Sequence, residues 1–236
     1  MGYAQDFAKD CDYYDPNRKE LNCILRNSKF KGKIIADIGS GIGRLSYPLS
    51  RYAKRVYAID SDKRLINYAN KIFKKNNLIL INKKFEDFIK RNKEKIDIFL
   101  LSWPWYSKRL LRIIKHNLDN GEFIVIINDD NSEFGKLYNK LINWKETKKR
   151  KREKIKQDFI LSLKREFLVK KFKKISLSYL YPNKREAINN ILWNLKTWFN
   201  INGNRSQISN ILEKYRRRDA KIEIPEKVIY FKLKKK

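Results

Sequence analysis

The stretch Ile34-Ile35-Ala36-Asp37-Ile38-Gly39-Ser40-Gly41-Ile42-Gly43-Arg44 constrains this chain more than any other. An apolar run of strand length closes on a carboxylate, passes through glycines at alternate positions and reopens as the start of a helix. Glycines so placed let the backbone adopt positive φ and approach a ligand closely. Such a turn suits the point where a buried strand hands over to a helix, and the sequence downstream repeats the unit. β-rich runs at residues 34–37, 55–60, 78–82, 96–101 and 122–128 alternate with helical patterns at 44–52, 63–76 and 107–117. Strands alternating with helices predict an α/β fold with a doubly wound, mostly parallel sheet.

The flanking segments complete the expectation. Residues 1–30 carry Tyr3, Phe7, Tyr13 and Tyr14 among balanced charges and read as an N-terminal helical cover, leaving 31–236 as the main domain. Tyr3, Tyr13 and Tyr14 could either lid a site or pack on the sheet. Between residues 145 and 174 there are 14 basic and 4 acidic residues, interleaved with Phe159, Ile160, Leu161, Leu163, Phe167 and Leu168. That spacing predicts a basic helical insertion over 145–167 running into a strand at 168–179. A helix over 183–199 and a closing strand over 227–233 then bring the sheet to seven strands, within closing elements spanning 168–236.

Composition narrows the function. With 42% apolar residues, 13 Phe, 13 Tyr and 5 Trp in 236 residues, the chain can bury a substantial core. The formal net charge of +30 exceeds what solubility requires, so a polyanionic partner is one reading. The plainer reading is genomic background, since a chain crowded with Lys, Ile and Asn has the usage expected of an AT-rich genome, and lysine enrichment also accompanies heat tolerance. Cys11, Cys23 and a single His116 offer no zinc spacing and no metal cluster. His116 suits the C-terminal end of its helix, where a cation favours the helix dipole. The first residues hold no apolar signal segment and no apolar run approaches 18 residues, so a soluble, cytoplasmic protein without membrane partner is expected.

The glycine loop departs from the dinucleotide fingerprint G-x-G-x-x-G, because Gly43 comes one place early and Arg44 stands where the third glycine belongs. Seventeen residues after Gly43 the second strand closes on Asp60, followed by Ser61, and a strand-end acid can hold both hydroxyls of a ribose. A third strand exits at Lys84-Phe85-Glu86-Asp87, and a fourth at Ser102-Trp103-Pro104-Trp105-Tyr106.

In this order the residues resemble the class I S-adenosylmethionine-dependent methyltransferases, which have a Rossmann-like fold. Asp37, Gly39, Gly41 and Gly43 match the family's D-x-G-x-G-x-G loop, Asp60 its ribose acid, and Asn117-Leu118-Asp119-Asn120-Gly121 the turn before its fifth strand. The resemblance covers roughly residues 30–130, and more loosely the segment after Leu168. It implies S-adenosyl-L-methionine as cofactor, held by Asp37, Gly39, Ser40, Gly41, Gly43, Asp60, Ser61 and Phe85. Lys84 replaces the family's usual acid before the adenine-flanking residue, which moves the adenine contact to Glu86 or Asp87. Ser102-Trp103-Pro104-Trp105 is similar to the [Asn/Asp/Ser]-x-Pro-aromatic motif of amino-group methyltransferases, including rRNA adenine dimethyltransferases, and implies that Ser102, Trp103 and Trp105 position the acceptor.

Methyl transfer from a sulfonium asks the protein chiefly to align two reactants and exclude water, so the lack of a His pair or metal site does not count against an enzyme. The expectation is therefore a methyltransferase whose acceptor is nucleic acid, RNA before DNA, with Lys148, Lys149, Arg150, Lys151 and Arg152 on phosphates. A methyltransferase for a small molecule or protein, and a non-catalytic nucleic-acid-binding protein of the same fold, are the competing readings.

Overall fold

The computed structural model describes residues 2–104, 106–129, 131–142 and 146–236, with the side chains of 146–150 and 152 left aside. In chain order the elements are α1 (Tyr3–Tyr13), α2 (Lys19–Asn27), β1 (Ile34–Ile38), α3 (Ser46–Leu49), β2 (Arg55–Asp60), α4 (Lys63–Ile72), β3 (Leu78–Asn82), α5 (Phe85–Arg91) and β4 (Ile98–Ser102). They continue with α6 (Lys108–Asn117), β5 (Glu122–Asn128), α7 (Glu133–Ile142), α8 (Glu146–Glu166), β6 (Phe167–Tyr181), α9 (Lys184–Phe199), α10 (Arg205–Leu212) and β7 (Ile222–Lys235). Two compact units divide the chain: a sheet unit (Leu21–Ile127, Lys151–Lys174, Ile229–Lys236) and a helical unit (Met1–Glu20, Asn128–Arg150, Ile175–Val228).

The sheet runs β3-β2-β1-β4-β5-β7-β6, as seven strands were expected to. β1 pairs in parallel with β2 and β4, β2 with β3, and β4 with β5. All of β1 is buried, as is β5 from Phe123 to Ile127, which is why both read as unbroken apolar runs. From β1 the chain builds outward to β2 and β3, then returns to β1's other side for β4 and β5. The crevice outside the carboxyl ends of β1 and β4 is thus the switch point of a doubly wound sheet.

The core of the sheet unit gathers Phe99 and Phe123 of β4 and β5, Leu111 and Ile114 of α6, and Phe231 and Leu233 of β7. Phe159 and Leu163 of α8 and Phe167 of β6 join it, so the basic insertion is anchored by a buried apolar stripe while Leu161 is 64% exposed. In the helical unit, Tyr3 meets Trp193, Tyr13 meets Tyr181 and donates its hydroxyl to Glu186 at 2.9 Å, and Tyr14 is buried against Tyr179. These rings are spent on packing inside their own unit.

Several boundaries differ from expectation for identifiable reasons. The helix read over 44–52 is only the four residues of α3: Pro48 has no N–H to return to Arg44, and the Ser50 hydroxyl donates to the Tyr47 carbonyl at 2.7 Å. α4 stops at Ile72, not 76, because Phe73 leaves the helix and stacks on Tyr47, rings 4.1 Å apart. β7 begins at Ile222 rather than 227, carrying Pro225 within it. α5, α7 and α10 had no counterpart in the sequence reading.

Candidate cofactor and acceptor site

Register brings the functional segments together. Ile38 at the end of β1 is level with both Ile59 of β2 and Leu101 of β4, so the turns beginning at Gly39, Asp60 and Ser102 leave the sheet at one height. Gly39, Gly41 and Gly43 have φ of +71°, +58° and +83°. The loop is fastened to β2: the Gly39 and Ser40 amides both donate to the Ile59 carbonyl, at 2.8 and 3.1 Å, and Gly43 N–H donates back to Ser40.

Asp60 is half-buried and orders this turn directly. Its Oδ2 accepts the Gly41 amide and its Oδ1 the Asp62 amide, each at 2.8 Å. Each carboxylate oxygen has a second lone pair, so the same group can still accept from a diol. Asp37 is 3% exposed and accepts the Ser46 hydroxyl, pinning the start of α3 behind the loop. Asp37 is thereby tied to the helix that follows the loop. Ser61 is exposed, and Asp62 caps α4 through the Arg64 amide, its carboxyl held below the usual range by the Arg64 guanidinium.

Two features fit a ligand with many polar atoms. A Cβ built on Gly39 would meet nothing within 4 Å, so the loop opens outward there, whereas one on Gly43 would lie 3.5 Å from the Phe73 ring. The Ser40 hydroxyl is buried and has no hydrogen-bond partner among the described residues, an arrangement that costs free energy unless something supplies one. The glycine-lined cradle, an orphan hydroxyl and a strand-end acid are the donor and acceptor set that S-adenosylmethionine's carboxypropyl and ribose groups need.

The third-strand exit is only partly as expected. Phe85 is 5% exposed, with its ring edge-on to Phe99 at 6.0 Å, so the core holds it. Glu86 is half-buried and Asp87 exposed in the first turn of α5. Two clefts of 290 and 530 Å³ are both lined by Asn92, Lys93 and Glu94, and neither includes a residue of the glycine loop.

At the end of β4, Ser102 is half-buried and Trp103 is 39% exposed with φ +55°. Holding an aromatic residue in the left-handed region costs about 1–2 kcal/mol. The Trp103 amide is tied to the Ile126 carbonyl at 2.9 Å, and Tyr106 packs on Phe159 at 5.2 Å, so both sides of the turn are fixed. Trp105 lies outside the described residues. Of the basic run, Lys151 is exposed on α8, while the side chains of Lys148, Lys149, Arg150 and Arg152 lie outside the described set. His116 is exposed in the last turn of α6 as expected, Cys11 and Cys23 are half-buried thiols outside any disulfide among the described residues, and no helix among the described residues is long and apolar enough to cross a membrane.

Sequence reasoning missed the Ser46 partner of Asp37, the Tyr47–Phe73 stack behind Gly43, and the strained turn at Trp103. Only the first left a trace, in a small hydroxyl residue two places into the expected helix.

Comparison with known proteins agrees with the fold and places the chain in a family. The model of the ribosomal RNA adenine dimethylase family matches residues 3–179. A ribosomal RNA small subunit methyltransferase A from Wigglesworthia glossinidia brevipalpis is 42% identical over 80 residues, 34% of this chain and 28% of that protein. The protein of the same name from Mesomycoplasma hyopneumoniae is 36% identical over 129 residues, 52% of this chain and 45% of its own. The chain thus spans about half or less of the length of these curated relatives. Among solved structures, a tRNA methyltransferase from Aquifex aeolicus superposes with TM-score 0.53 at 13% identity over 93% of this chain and 70% of its own. The YcgJ protein from Bacillus subtilis does so with TM-score 0.56 at 11% identity over 92% and 98%. At such identities these likenesses speak to the fold.

Proposed function

Since the chain belongs to the ribosomal RNA adenine dimethylase family, a class I methyltransferase family, we propose that it is an S-adenosylmethionine-dependent methyltransferase acting on an adenine amino group of small-subunit ribosomal RNA. The observation that carries the proposal is the meeting of two turns at the β1–β4 switch point: a glycine loop with an open outer face, and the Ser102-Trp103-Pro104 turn held in a costly conformation. A backbone strained at a substrate-facing turn is strain retained for positioning.

When bound, S-adenosylmethionine supplies a methyl group already activated by its positive sulfur. The chain's task is to hold and aim. Asp60 would accept the ribose hydroxyls through the lone pairs not used by Gly41 and Asp62, the Ser40 hydroxyl and the open side of Gly39 would receive the amino-acid end, and Glu86 or Asp87 would accept from the adenine amine. On the acceptor side, the Ser102 hydroxyl and the Trp103 carbonyl would accept the two N–H groups of the target amine and so orient its nitrogen. Pro104 stiffens the turn, and an indole next in sequence, Trp105, is of the residue type that stacks on a base. Stacking of this kind contributes roughly 1–3 kcal/mol.

The deciding experiment is transfer of tritium from labelled donor into four substrates offered separately: a small-subunit rRNA transcript, DNA, protein and a metabolite extract. Label in N6-methylated adenine of the rRNA is expected. Label confined to protein or metabolites would overturn the acceptor assignment, and no transfer to any fraction with measurable donor binding would overturn the enzymatic one.

A further inference from the structure

The outer strand of the sheet carries a surface that the methyl-transfer site does not use. β6 is the edge strand, next to β7. Lys170, Lys171, Phe172, Lys173 and Lys174 are exposed in succession, although a strand ordinarily buries every second side chain. Lys170 and Phe172 point to one face, Lys171 and Lys173 to the other. Lys170, Lys171 and Lys173 have no ion-pair partner among the described residues, nor do Lys234 and Lys235 on neighbouring β7. The β7 end is fixed in place by Lys236, whose ammonium donates to the Lys164 and Arg165 carbonyls at the end of α8.

Lysines on an edge strand also discourage sheet-to-sheet association, and charge alone accomplishes that. The aromatic does not fit that role. Phe172 is 50% exposed in the middle of the run and Leu168 is 43% exposed, so apolar surface stands in water where a guard strand would place none. The Phe172 ring is nonetheless held, edge-on to buried Phe231 at 5.3 Å, which leaves its remaining surface facing outward in a fixed pose. Uncompensated ammonium groups on both faces of an edge strand, with Lys170 on the same face as a fixed, half-exposed ring, are the chemistry by which an RNA wrapping that edge has its phosphates bound and a base or sugar stacked.

We propose that residues 168–174 of β6, with Lys234 and Lys235 of β7, form a second RNA-contacting surface that grips the substrate away from the methylated base. The proposal rests on the RNA-methyltransferase reading above and adds a docking surface to it. Four strand spacings of about 4.8 Å separate β1 from β6, or about 19 Å, so one folded RNA can reach both the crevice and this edge.

The test uses the full chain, a small-subunit rRNA transcript and three variants: the triple substitution Lys170→Glu, Lys171→Glu and Lys173→Glu; Phe172→Ala; and a control, Lys71→Glu, Lys74→Glu and Lys90→Glu, which changes the same charge at exposed positions elsewhere. Expected for the β6 triple variant are a KM for RNA raised at least tenfold, kcat and S-adenosylhomocysteine affinity unchanged, and a salt dependence of log affinity flatter by about 2 units, from three contacts at about 0.7–0.9 each. Phe172→Ala should weaken RNA binding about tenfold at an unaltered salt slope. Equal losses in the β6 and control triples would overturn the surface and assign the effect to bulk charge. Unchanged KM and slope in the β6 variants, with wild-type protein methylating the RNA, would also overturn it while leaving the proposed function standing. Wild-type protein that neither binds nor methylates RNA would instead refute the function itself.

Discussion

Gly39→Ala and Gly43→Ala form a matched pair that isolates where the cofactor lies. Both glycines have strongly positive φ, +71° and +83°, so alanine at either should cost about 1–2 kcal/mol of stability. For a chain of this size each kcal/mol lowers the melting temperature by about 2–4 °C, so both variants should melt about 2–8 °C below wild type. They differ in what the new methyl meets. On Gly43 it makes an ordinary contact with Phe73 at 3.5 Å, while on Gly39 it enters the open space in front of the loop. If S-adenosylmethionine occupies that space, displacing it by a methyl's width forfeits two or so loop hydrogen bonds, about 2–3 kcal/mol together. Calorimetry with S-adenosylhomocysteine should then show about 30- to 150-fold weaker binding for Gly39→Ala and less than about threefold for Gly43→Ala. Two folded variants with the same affinity would refute the placement of the ligand on the open face of Gly39.

The remaining predictions follow from single contacts. Asp60→Asn should weaken S-adenosylhomocysteine at least about tenfold and also lower the melting temperature, since the new amide cannot accept from both Gly41 and Asp62; isothermal titration and a thermal melt on the same sample check both. Ser46→Ala removes a hydrogen bond to the buried Asp37 carboxylate and should destabilise by about 1.5–3 kcal/mol in urea unfolding. Ser102→Ala should lower kcat on RNA about tenfold with donor affinity unchanged, read from single-turnover methylation. In the helical unit, Lys136, Lys214 and Tyr215 hold the Glu133 carboxyl down to about 2. A depressed carboxyl adds stability above its unfolded pKa of about 4.3 and loses it as pH falls toward 2. The melting-temperature gap between wild type and Glu133→Gln should therefore close between about pH 5 and pH 2, and shrink in high salt because Glu133 is partly exposed.

What could be read in the sequence tracks how each element is stabilised. β2 and β3 fall at Arg55–Asp60 and Leu78–Asn82 as expected, because a short run between turn residues is decided locally. The far end of α4 was misjudged because Phe73 is claimed by Tyr47, a partner 26 places earlier that no local window contains. α5 was hidden by its entry: Lys84 offers no capping side chain, and Phe85 sits where the strand exit was expected. α7 does carry a signal, since the Ser132 hydroxyl accepts the Gly135 amide at 3.0 Å, but a glycine inside a helix speaks against one. In the site, the glycine loop and Asp60 were legible because their chemistry needs those residue types. The left-handed backbone at Trp103 was not, because an aromatic residue gives no hint of that conformation.

The strand order has a consequence for how the chain acquires its structure. β7 lies between β5 and β6, yet it is the last of the three in sequence and is parted from β6 by α9 and α10. Until β7 inserts, the edge of β5 away from β4 and both sides of β6 are unpaired, and the contacts that seal the sheet join residues remote in sequence. Closure of this kind bears the loop entropy before any ladder bond repays it, which slows folding. Synthesis from the N-terminus leaves the half-built sheet with an apolar open edge at β5, and the lysines of β6 meanwhile keep nascent chains from annealing edge to edge.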